Sequence, residues 1–378
     1  MTDYIIVGGG VYGCATAWHL ARQGASVVLF EASAAASGAS GGLGERGVRA
    51  NGRDVRELPL IRRSHEIWPD LADELSGPTG FRRIGHLLLA ENEEDFGRLE
   101  AQCALQTEHG LPSEVLHGAH VAELEPGVHD QVQRALLCPD DGVADHTTTT
   151  RSWARAAANE GVDIRDASPV ESVWLEDDSV KGVNTRAGGS QSARRGVILL
   201  ANTSVGPLMR RAWGVQLPIW PVVPQAILTE PSSDEFVTHL VGHVSRRLSV
   251  KSLPDGRVML SGGWRGKWDP LSGEGEVIQS ALAGNWEEAT TVFPAIAGLA
   301  IQQAVSDRPE SMCIDGVPII DRLDTDVPVW FGTGWTGHGW AIAPAVAESL
   351  ADWILTGVRP GVLVPFGLSR FRTARTGS

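Results

Sequence analysis

The feature that most constrains the fold of this chain is a run of glycines that begins at residue 8. Residues 4–7 are apolar and β-prone, and the sequence GGGVYG follows them at residues 8–13. A helical pattern then continues to Gln23, and residues 26–30 form a second apolar strand. A strand, a glycine turn, a helix and a strand in this order predict a βαβ unit with a phosphate-binding turn.

Each glycine of this turn has its own steric reason. We expect Gly8 to permit the tight turn, Gly10 to let the backbone approach a pyrophosphate, and Gly13 to let the helix pack on the sheet. Glu31 follows Gly13 by 18 residues, near the roughly 20-residue offset of an acid that binds ribose hydroxyls. An acid at this position disfavours the 2′-phosphate of NADP. The alternative is a glycine-rich turn that binds no nucleotide.

A second match to the same pattern, GTGWTG, lies late in the chain at residues 332–337. It also follows a predicted strand and precedes a predicted helix, but only a short tail follows that helix. We therefore do not expect a second dinucleotide site here. The helix N-terminus would instead face an anionic edge, such as the pyrimidine edge of a flavin, with a contribution of roughly 0.3–2 kcal/mol.

Composition limits the expected partners and location of the protein. Its 378 residues carry a formal net charge of −14 at pH 7, and such an acidic surface disfavours nucleic acid and membranes as partners. The four cysteines form no C-x-x-C pair, so we expect neither a disulfide framework nor a metal site. The sequence has no basic leader and no apolar run of transmembrane length, and we expect a cytoplasmic protein.

The order of the predicted elements indicates two interleaved domains, which the length of the chain also favours. Strand and helix segments at the beginning, middle and end of the chain alternate with β-rich stretches. We predict an α/β (α+β) fold in which a Rossmann-like dinucleotide-binding domain comprises residues 1–80, 140–215 and 301–378. Residues 81–139 and 216–300 would form a β-rich substrate-binding domain that is inserted discontinuously.

Five blocks of sequence point to one family. They are DYIIVGGGVYGCATAWHLARQGASVVLFE at residues 3–31, SGASGG at 37–42, GVR at 47–49, DGVPIID at 315–321 and GTGWTGHGWAIAPAVAESLADWI at 332–354. Together they resemble the D-amino-acid oxidase (DAO) superfamily of flavoproteins, and most closely its sarcosine oxidase and glycine oxidase branch. The resemblance extends over nearly the whole chain and implies a Rossmann-like FAD-binding domain.

By this resemblance the protein is an FAD-dependent oxidoreductase. Its chemistry would be hydride transfer from a C–H group next to nitrogen to flavin N5, after which water hydrolyses the imine. The substrate would be a small amine or amino acid, such as a secondary amine, an N-methyl amino acid or a D-amino acid, and the acceptor oxygen or another oxidant. The residues expected at the FAD are Gly8, Gly10, Val11, Gly13, Glu31, Ala32, Ser37, Ser40, Gly41, Val170, Gly334, Gly337, His338 and Gly339.

Two departures from the branch change these expectations. Sarcosine oxidases place a lysine after the HGF of the last loop, where it helps to bind the substrate carboxylate, but Ala341 stands at that position. The cysteine that attaches flavin covalently in those enzymes falls near Arg308 here, and Cys313 is too close to Asp315. We therefore expect non-covalent FAD and a substrate other than that of a plain sarcosine oxidase.

The resemblance also suggests residues for substrate binding and catalysis: Arg49, Arg308, His338 and Trp335. Either arginine would bind a carboxylate bidentately, although Arg49 could instead pair with Asp54 or with a loop carbonyl. His338 would lie over the flavin or satisfy backbone groups. Trp335 would form part of an aromatic wall around the substrate or pack in the core.

Three questions stay open at this stage. Lys251 or Lys267 would activate oxygen beside the flavin, as a lysine does in sarcosine oxidases, but the sequence does not decide between an oxidase and a dehydrogenase. A 2-hydroxy-acid dehydrogenase is the main chemical alternative, because the same superfamily also oxidises C–OH carbons. A flavoprotein subunit of a larger dehydrogenase is the other alternative, and a homo-oligomer is compatible with the sequence.

Overall fold

The computed structural model describes residues 2–40, 44–235 and 237–371. Within them the helices are α1 (Val11–Arg22), α2 (Leu58–Ile67), α3 (Leu71–Glu74), α4 (Glu93–Glu108), α5 (Ala119–Leu124), α6 (His146–Asn159), α7 (Val205–Trp213), α8 (Gln279–Val292) and α9 (Gly339–Thr356). The first strands are β1 (Thr2–Val7), β2 (Val27–Phe30), β3 (Glu45–Val48), β4 (His86–Ala90), β5 (Glu114–His117), β6 (Arg134–Cys138), β7 (Gly142–Asp145), β8 (Asp163–Arg165), β9 (Val170–Glu176), β10 (Ser179–Thr185) and β11 (Ser190–Leu199). The remaining strands are β12 (Ile219–Val222), β13 (Ala226–Thr229), β14 (Leu240–His243), β15 (Ser249–Ser252), β16 (Val258–Ser261), β17 (Lys267–Asp269), β18 (Glu274–Glu276), β19 (Ile301–Val305), β20 (Glu310–Cys313), β21 (Ile319–Leu323) and β22 (Val329–Thr333).

The first sheet has the strand order β21-β22-β11-β1-β2-β8, and β10 and β9 extend it antiparallel from β11. β1 runs parallel to both of its neighbours, β2 and β11. Tyr4 and Ile6 pack toward α1, α6 and α9, whereas Ile5 packs toward α7 on the other face. Burial on both faces explains why the strand is apolar without alternation. The predicted α/β fold class is confirmed.

The second sheet has the order β19-β13-β16-β15-β14-β4-β6-β5. One of its faces packs on α8 through residues such as Val250. Since side chains alternate along a strand, Lys251 and its cross-strand partner Met259 point to the opposite face. That face meets β3, where a Cβ on Gly47 would lie 2.8 Å from Leu240 Cδ2. The antiparallel ribbon of β3 and β7 therefore lies against the inner face of the second sheet.

The two sheets draw on alternating parts of the chain. The first takes its strands from residues 2–30, 163–199 and 319–333, and the second from 86–138 and 226–305. The domain boundaries themselves stay a prediction. We propose to place β19 in the substrate-binding domain, because it pairs with β13, although the sequence-based division assigned it to the dinucleotide-binding domain.

The helical pattern that the sequence predicts up to Gln23 corresponds to α1. Gly24 follows it with a φ of 81°, a left-handed conformation that glycine adopts without strain. α4 begins at Glu93 and continues to Glu108. No single helix among the described residues is long and apolar enough to cross a membrane; α9 and residues 361–371 reach that length and composition only as a pair bent by 103°.

The N-cap of α4 offers a direct test of local stability. Asn92 accepts a hydrogen bond from the amide of Asp95 at 3.0 Å. Replacing Asn92 with alanine should lower the free energy of unfolding by about 1 kcal/mol, because a first-turn amide loses its acceptor. Urea unfolding followed by circular dichroism measures this loss. The control Asn92→Ser keeps a capping oxygen, so equal stability of the two variants would contradict the capping role.

Candidate active site

The first glycine turn is so tight that the packing of the protein chain requires glycine at two of its positions. Gly8 has a φ of 115°, and a Cβ on it would lie 2.6 Å from Leu200 O. A Cβ on Gly13 would lie 1.8 Å from Gly8 O, which no real packing allows. The turn and the start of α1 are therefore in direct backbone contact, as the glycine spacing predicts.

Gly10 differs, because the protein leaves the space beside it open. It is the N-cap of α1 with an extended backbone, and a Cβ on it would meet no described atom within 4 Å. The amides of Gly10, Val11 and Tyr12 have no acceptor among the described residues. Unpaired amides and the positive end of a helix beside open space fit a diphosphate group.

Glu31 lies where a ribose would follow that diphosphate. Its carboxylate accepts hydrogen bonds from the amides of Gly9 at 2.7 Å and Ser33 at 2.9 Å. Its main chain pairs with Arg165 O and the amide of Ser168, which holds the end of β2 in place. A carboxylate has about four acceptor positions, so these two bonds leave capacity for sugar hydroxyls.

The loop after β2 folds back over the glycine turn. The amide of Ala36 donates to Gly9 O at 3.0 Å, and Ser37 closes onto its own loop. Ser40 Oγ donates to Glu310 Oε2 at 2.6 Å, which ties the loop to β20. Burial raises the pKa of Glu310 to about 7. The loop thus brings its serines beside both the turn and β20.

Three other residues are expected at the cofactor. Ala32 is exposed next to Glu31. Val170 begins β9, where it pairs with Thr185 and is half-buried. Gly41 lies outside the described residues. Their contacts with FAD stay predictions.

The second glycine loop turns sharply before α9. Gly334 and Gly337 have φ values of 72° and 70°. The amide of Gly334 donates to Ser311 Oγ at 2.8 Å, and the amide of Thr336 donates to Ser311 O at 2.9 Å. The side chain of His338, the N-cap residue of α9, makes no capping hydrogen bond, and the first-turn amides of α9 have no acceptor among the described residues. This helix start therefore also presents free donors.

One aromatic contact joins the two glycine loops. The rings of Tyr12 and Trp335 are stacked, with centroids 3.6 Å apart and planes 7° apart. The hydroxyl of Tyr12 donates to Gly339 O. Trp335 is 5% exposed, so in this structure its ring is mainly a packing element between α1 and α9, and a role at the substrate stays a prediction.

Two arginines lie beside the N-cap of α9. Arg53 donates from Nε to Arg49 O at 3.0 Å and from Nη1 to His338 O at 2.9 Å. Arg49 Nη1 donates to Asn51 O. Burial, reinforced by the charges of Arg53 and Arg49, holds the pKa of His338 well below its usual range. The imidazole of His338 is therefore neutral next to two cations.

A buried polar network holds the backbone between these arginines. Asp141 accepts from the amide of Ala50 at 2.6 Å and from that of Asn51 at 3.3 Å, and it lies 3.2 Å from His65 Nε2. The Asn51 side chain donates to His86 O at 3.0 Å. Because this segment is anchored on several sides, the arginines are fixed in place rather than mobile on a loop.

The second candidate arginine does not join this group. Arg308 is exposed on the connection between β19 and β20, and no described hydrogen bond or ion pair links it to Arg49 or His338. Asp54, the alternative partner of Arg49, instead binds Arg56 at 2.8 Å. The other alternative, a loop carbonyl, is present as Asn51 O.

The two lysine candidates differ in how far their side chains are exposed. Lys267 is exposed on the hairpin of β17 and β18. Lys251 is 3% exposed on the inner face of the second sheet. Burial and the nearby charge of Arg46 lower the pKa of Lys251 to about 7, against the opposing charge of Glu45. Only Lys251 is therefore placed to face the interior between the sheets.

The donor set as a whole fits a flavin dinucleotide. The open space at Gly10 and the free amides at the start of α1 are suited to a diphosphate. The free amides at the start of α9 are suited to an anionic ring edge, and the Glu31 carboxylate to a ribose. No group of three or more His, Cys, Asp or Glu side chains in the described part of the chain could hold a metal ion.

Comparison with known proteins decides the family. The profile described as "DAO: FAD dependent oxidoreductase" matches residues 3–353. The chain belongs to the DAO family. It is therefore an FAD-dependent oxidoreductase, which confirms the cofactor and the resemblance predicted from the sequence.

Several DAO-family relatives are similar over nearly all of this chain. Glycine oxidase from Bacillus licheniformis is 29% identical and is covered over 93% of both chains. Sarcosine oxidase subunit beta from Rhizobium meliloti is 26% identical, covering 98% of this chain and 88% of the relative. The human mitochondrial sarcosine dehydrogenase is 25% identical over 99% of this chain, which spans only 42% of that protein's length. The solved L-proline dehydrogenase from P. horikoshii has the same fold, with a TM-score of 0.89, 23% identity, and coverage of 98% of this chain and 97% of that chain.

Sequence reasoning missed two residues of this candidate site. Tyr12 lies inside the glycine motif itself, where its large side chain could have indicated a packing partner. Arg53 follows the predicted Arg49 by four residues. That spacing would place them on one face of a helix, but α2 begins only at Leu58, so the pattern carried no clear signal.

Gly10 provides a test of the cofactor site that spares the fold. Replacing Gly10 with alanine should leave the stability of the apoprotein unchanged, because its backbone is extended and the added methyl group meets no described atom. The methyl group would instead occupy the space that a pyrophosphate approaches. FAD affinity, measured by fluorescence titration of the apoprotein, should fall on the order of tenfold or more.

The matched control is Gly97→Ala, on the exposed side of α4, where an added Cβ also meets no described atom. This variant should bind FAD as the wild type does. An unchanged FAD affinity in the Gly10 variant would contradict the prediction that the diphosphate binds at the start of α1.

Proposed function

We propose that this protein oxidises a C–N bond of a small amine or amino acid, and that water then hydrolyses the resulting imine. When bound, FAD supplies the hydride acceptor at N5 for a C–H group next to nitrogen. The carbon loses a hydride and the nitrogen loses a proton, which together form the C=N bond. Hydrolysis of that bond releases a carbonyl compound and an amine or ammonia.

The observation that carries this proposal is that two helix N-termini lie side by side, each with first-turn amides that have no acceptor among the described residues. Tyr12 joins the start of α1, which is suited to a diphosphate, to the start of α9. Arg49, Arg53 and His338 lie beside the second of these starts. We propose that these three residues orient the substrate over the flavin ring and that the surrounding buried network excludes water from it.

The names of the relatives support an amine as the substrate. They include a glycine oxidase, a sarcosine oxidase subunit, a sarcosine dehydrogenase and an L-proline dehydrogenase. Each of the amino acids in these names has a C–H group next to an amine nitrogen. One relative is named as a subunit, and this favours a second candidate function, in which the chain is the flavoprotein subunit of a larger dehydrogenase.

Anaerobic flavin reduction tests the substrate class. We expect a secondary amine, an N-methyl amino acid or a D-amino acid to bleach the visible absorption of the oxidised flavin, because the flavin accepts the hydride. 2-Hydroxy acids of matched size are the control and should leave the spectrum unchanged. Reduction by the hydroxy acids but by none of the amines would replace the proposal with the hydroxy-acid alternative.

We further propose that the FAD is held without a covalent bond. Cys313 is the cysteine nearest to the predicted attachment region, but its Sγ lies 3.3 Å from Asp315 Oδ1 and is buried. Burial raises the pKa of the Cys313 thiol, so the nucleophilic thiolate is disfavoured.

Acid precipitation distinguishes the two kinds of attachment. Trichloroacetic acid should release the yellow colour of the purified holoprotein into the supernatant, because denaturation removes every non-covalent contact with FAD. A Cys313→Ser variant is the control and should release the same fraction. Colour that stays in the wild-type pellet and disappears from the variant pellet would mean that Cys313 carries the flavin.

A further inference from the structure

Glu310 is a buried acid that the function proposed above does not use. It begins β20 and is 8% exposed. Ser40 Oγ donates to its Oε2 at 2.6 Å, and its Oε1 has no hydrogen-bond partner among the described residues. Burial raises the pKa of Glu310 to about 7, against the effect of hydrogen-bond donors such as Ser40. Burying a carboxyl group costs free energy, and packing alone does not require an acid at this position.

The loop that follows β2, residues 31–40, is here called the serine loop, and it reaches this acid at its far end. Nearer to β2 the loop is held on the first glycine turn, because the amide of Ala36 donates to Gly9 O at 3.0 Å. Beyond Ala36, the described hydrogen bonds from the loop to the rest of the protein are all made by Ser40. Its main-chain oxygen accepts from Arg46 Nη2 at 3.5 Å, and its hydroxyl makes the much shorter bond to the acid.

β20 connects the serine loop to the second glycine loop. Ser311, the residue after Glu310, accepts a hydrogen bond from the amide of Gly334 at 2.8 Å. Burial raises the pKa of Tyr12, as do the charges of Glu57 and Glu310, so Glu310 is close to the ring that joins α1 to α9. Two adjacent residues of one strand therefore hold the two loops that are expected to contact FAD.

We propose that Glu310 is a positioning residue of the FAD site, which acts through Ser40 to hold the serine loop against the first glycine turn and thereby retains FAD. This inference goes beyond the proposed oxidation and rests on the FAD site at the start of α1. The diphosphate is expected beside Gly10, and the serine loop extends from Glu31, at the expected ribose, to β20. A loop that is fastened at both ends closes this side of the site, whereas a loop fastened only at Ala36 would let FAD leave more readily.

The rate of FAD release tests this role. The holoprotein is diluted, and the rise in flavin fluorescence reports the FAD that leaves the protein; mixing the apoprotein with FAD gives the association rate. Ser40→Ala and Glu310→Ala should each release FAD roughly 10- to 100-fold faster than the wild type, because each removes a hydrogen bond to a carboxylate. The association rate should stay within about twofold, since a contact of this kind acts mainly on dissociation.

A double-mutant cycle separates the contact between the two residues from their other effects. If Glu310 acts through Ser40, the double alanine variant should release FAD within about twofold of the faster single variant. Glu310→Gln keeps an oxygen that can accept from the Ser40 hydroxyl, so it should restore most of the retention, but only when Ser40 is present. A double variant whose effect equals the product of the two single effects would mean that each residue acts on FAD independently, and it overturns the inference.

Ser245→Ala is the matched control. Ser245 Oγ donates to Asp95 Oδ2 at 2.8 Å, so this variant also removes a bond between a serine and a buried carboxylate. The bond joins α4 to the segment after β14, and no described hydrogen bond links either residue to the serine loop. The control should release FAD at the wild-type rate. Release accelerated as much as in Ser40→Ala would show a general loosening of the protein and overturns the inference.

A purely structural role for Glu310 predicts a different result. Glu310→Ala would then lower the thermal stability of the apoprotein, and Ser40→Ala would release FAD as the wild type does; this outcome overturns the inference. If Glu310→Ala does not fold, Ser40→Ala and Glu310→Gln still decide. Wild-type release from Ser40→Ala, or release from Glu310→Gln that is equally fast with and without Ser40, overturns the inference.

The inference and the proposals on which it builds fail in different ways. If Gly10→Ala weakens FAD binding but Ser40→Ala retains FAD as the wild type does, the FAD site stands and the role of Glu310 falls. If Gly10→Ala binds FAD normally while Ser40 and Glu310 remain coupled, the loop contact stands and the diphosphate position falls. Because no substrate enters these measurements, a failure of every amine to reduce the flavin overturns only the proposed oxidation.

Discussion

The structure of this site depends on the contact between Tyr12 and the second glycine loop. Stacking on Trp335 and the hydrogen bond to Gly339 O hold the starts of α1 and α9 side by side. Each helix start alone is a common anion site. In the FAD site that we propose, one extended cofactor meets both helix starts, with its diphosphate at α1 and its ring at α9.

A buried acid holds the segment that follows β3. The chain crosses between the two sheets at β3 and continues into the segment that carries Arg49 and Arg53. Asp141, which directly precedes β7, accepts hydrogen bonds from the amides of this segment. Its negative charge also favours the protonated forms of Arg49 and Arg53.

Much of the fold was predictable because its signals are local. The glycine turn, the apolar strand before it and the acid at residue 31 occupy one short segment, and the steric reasons for Gly8 and Gly13 hold in the structure. The substrate side was less predictable, because it depends on contacts between distant segments. Arg308 has a suitable sequence position, but it is exposed. Arg53 has no motif, and only the approach of His338, which lies 285 residues later in the chain, gives it a place in the site.

The separation of the two glycine loops along the chain also bears on how the protein matures. Tyr12 and Gly339 are 327 residues apart, so their contact does not exist until α9 has been synthesised and has docked onto α1. Bringing such distant segments together costs loop-closure entropy before any contact repays it. We therefore expect the FAD site that we propose to be assembled late in the folding of this chain.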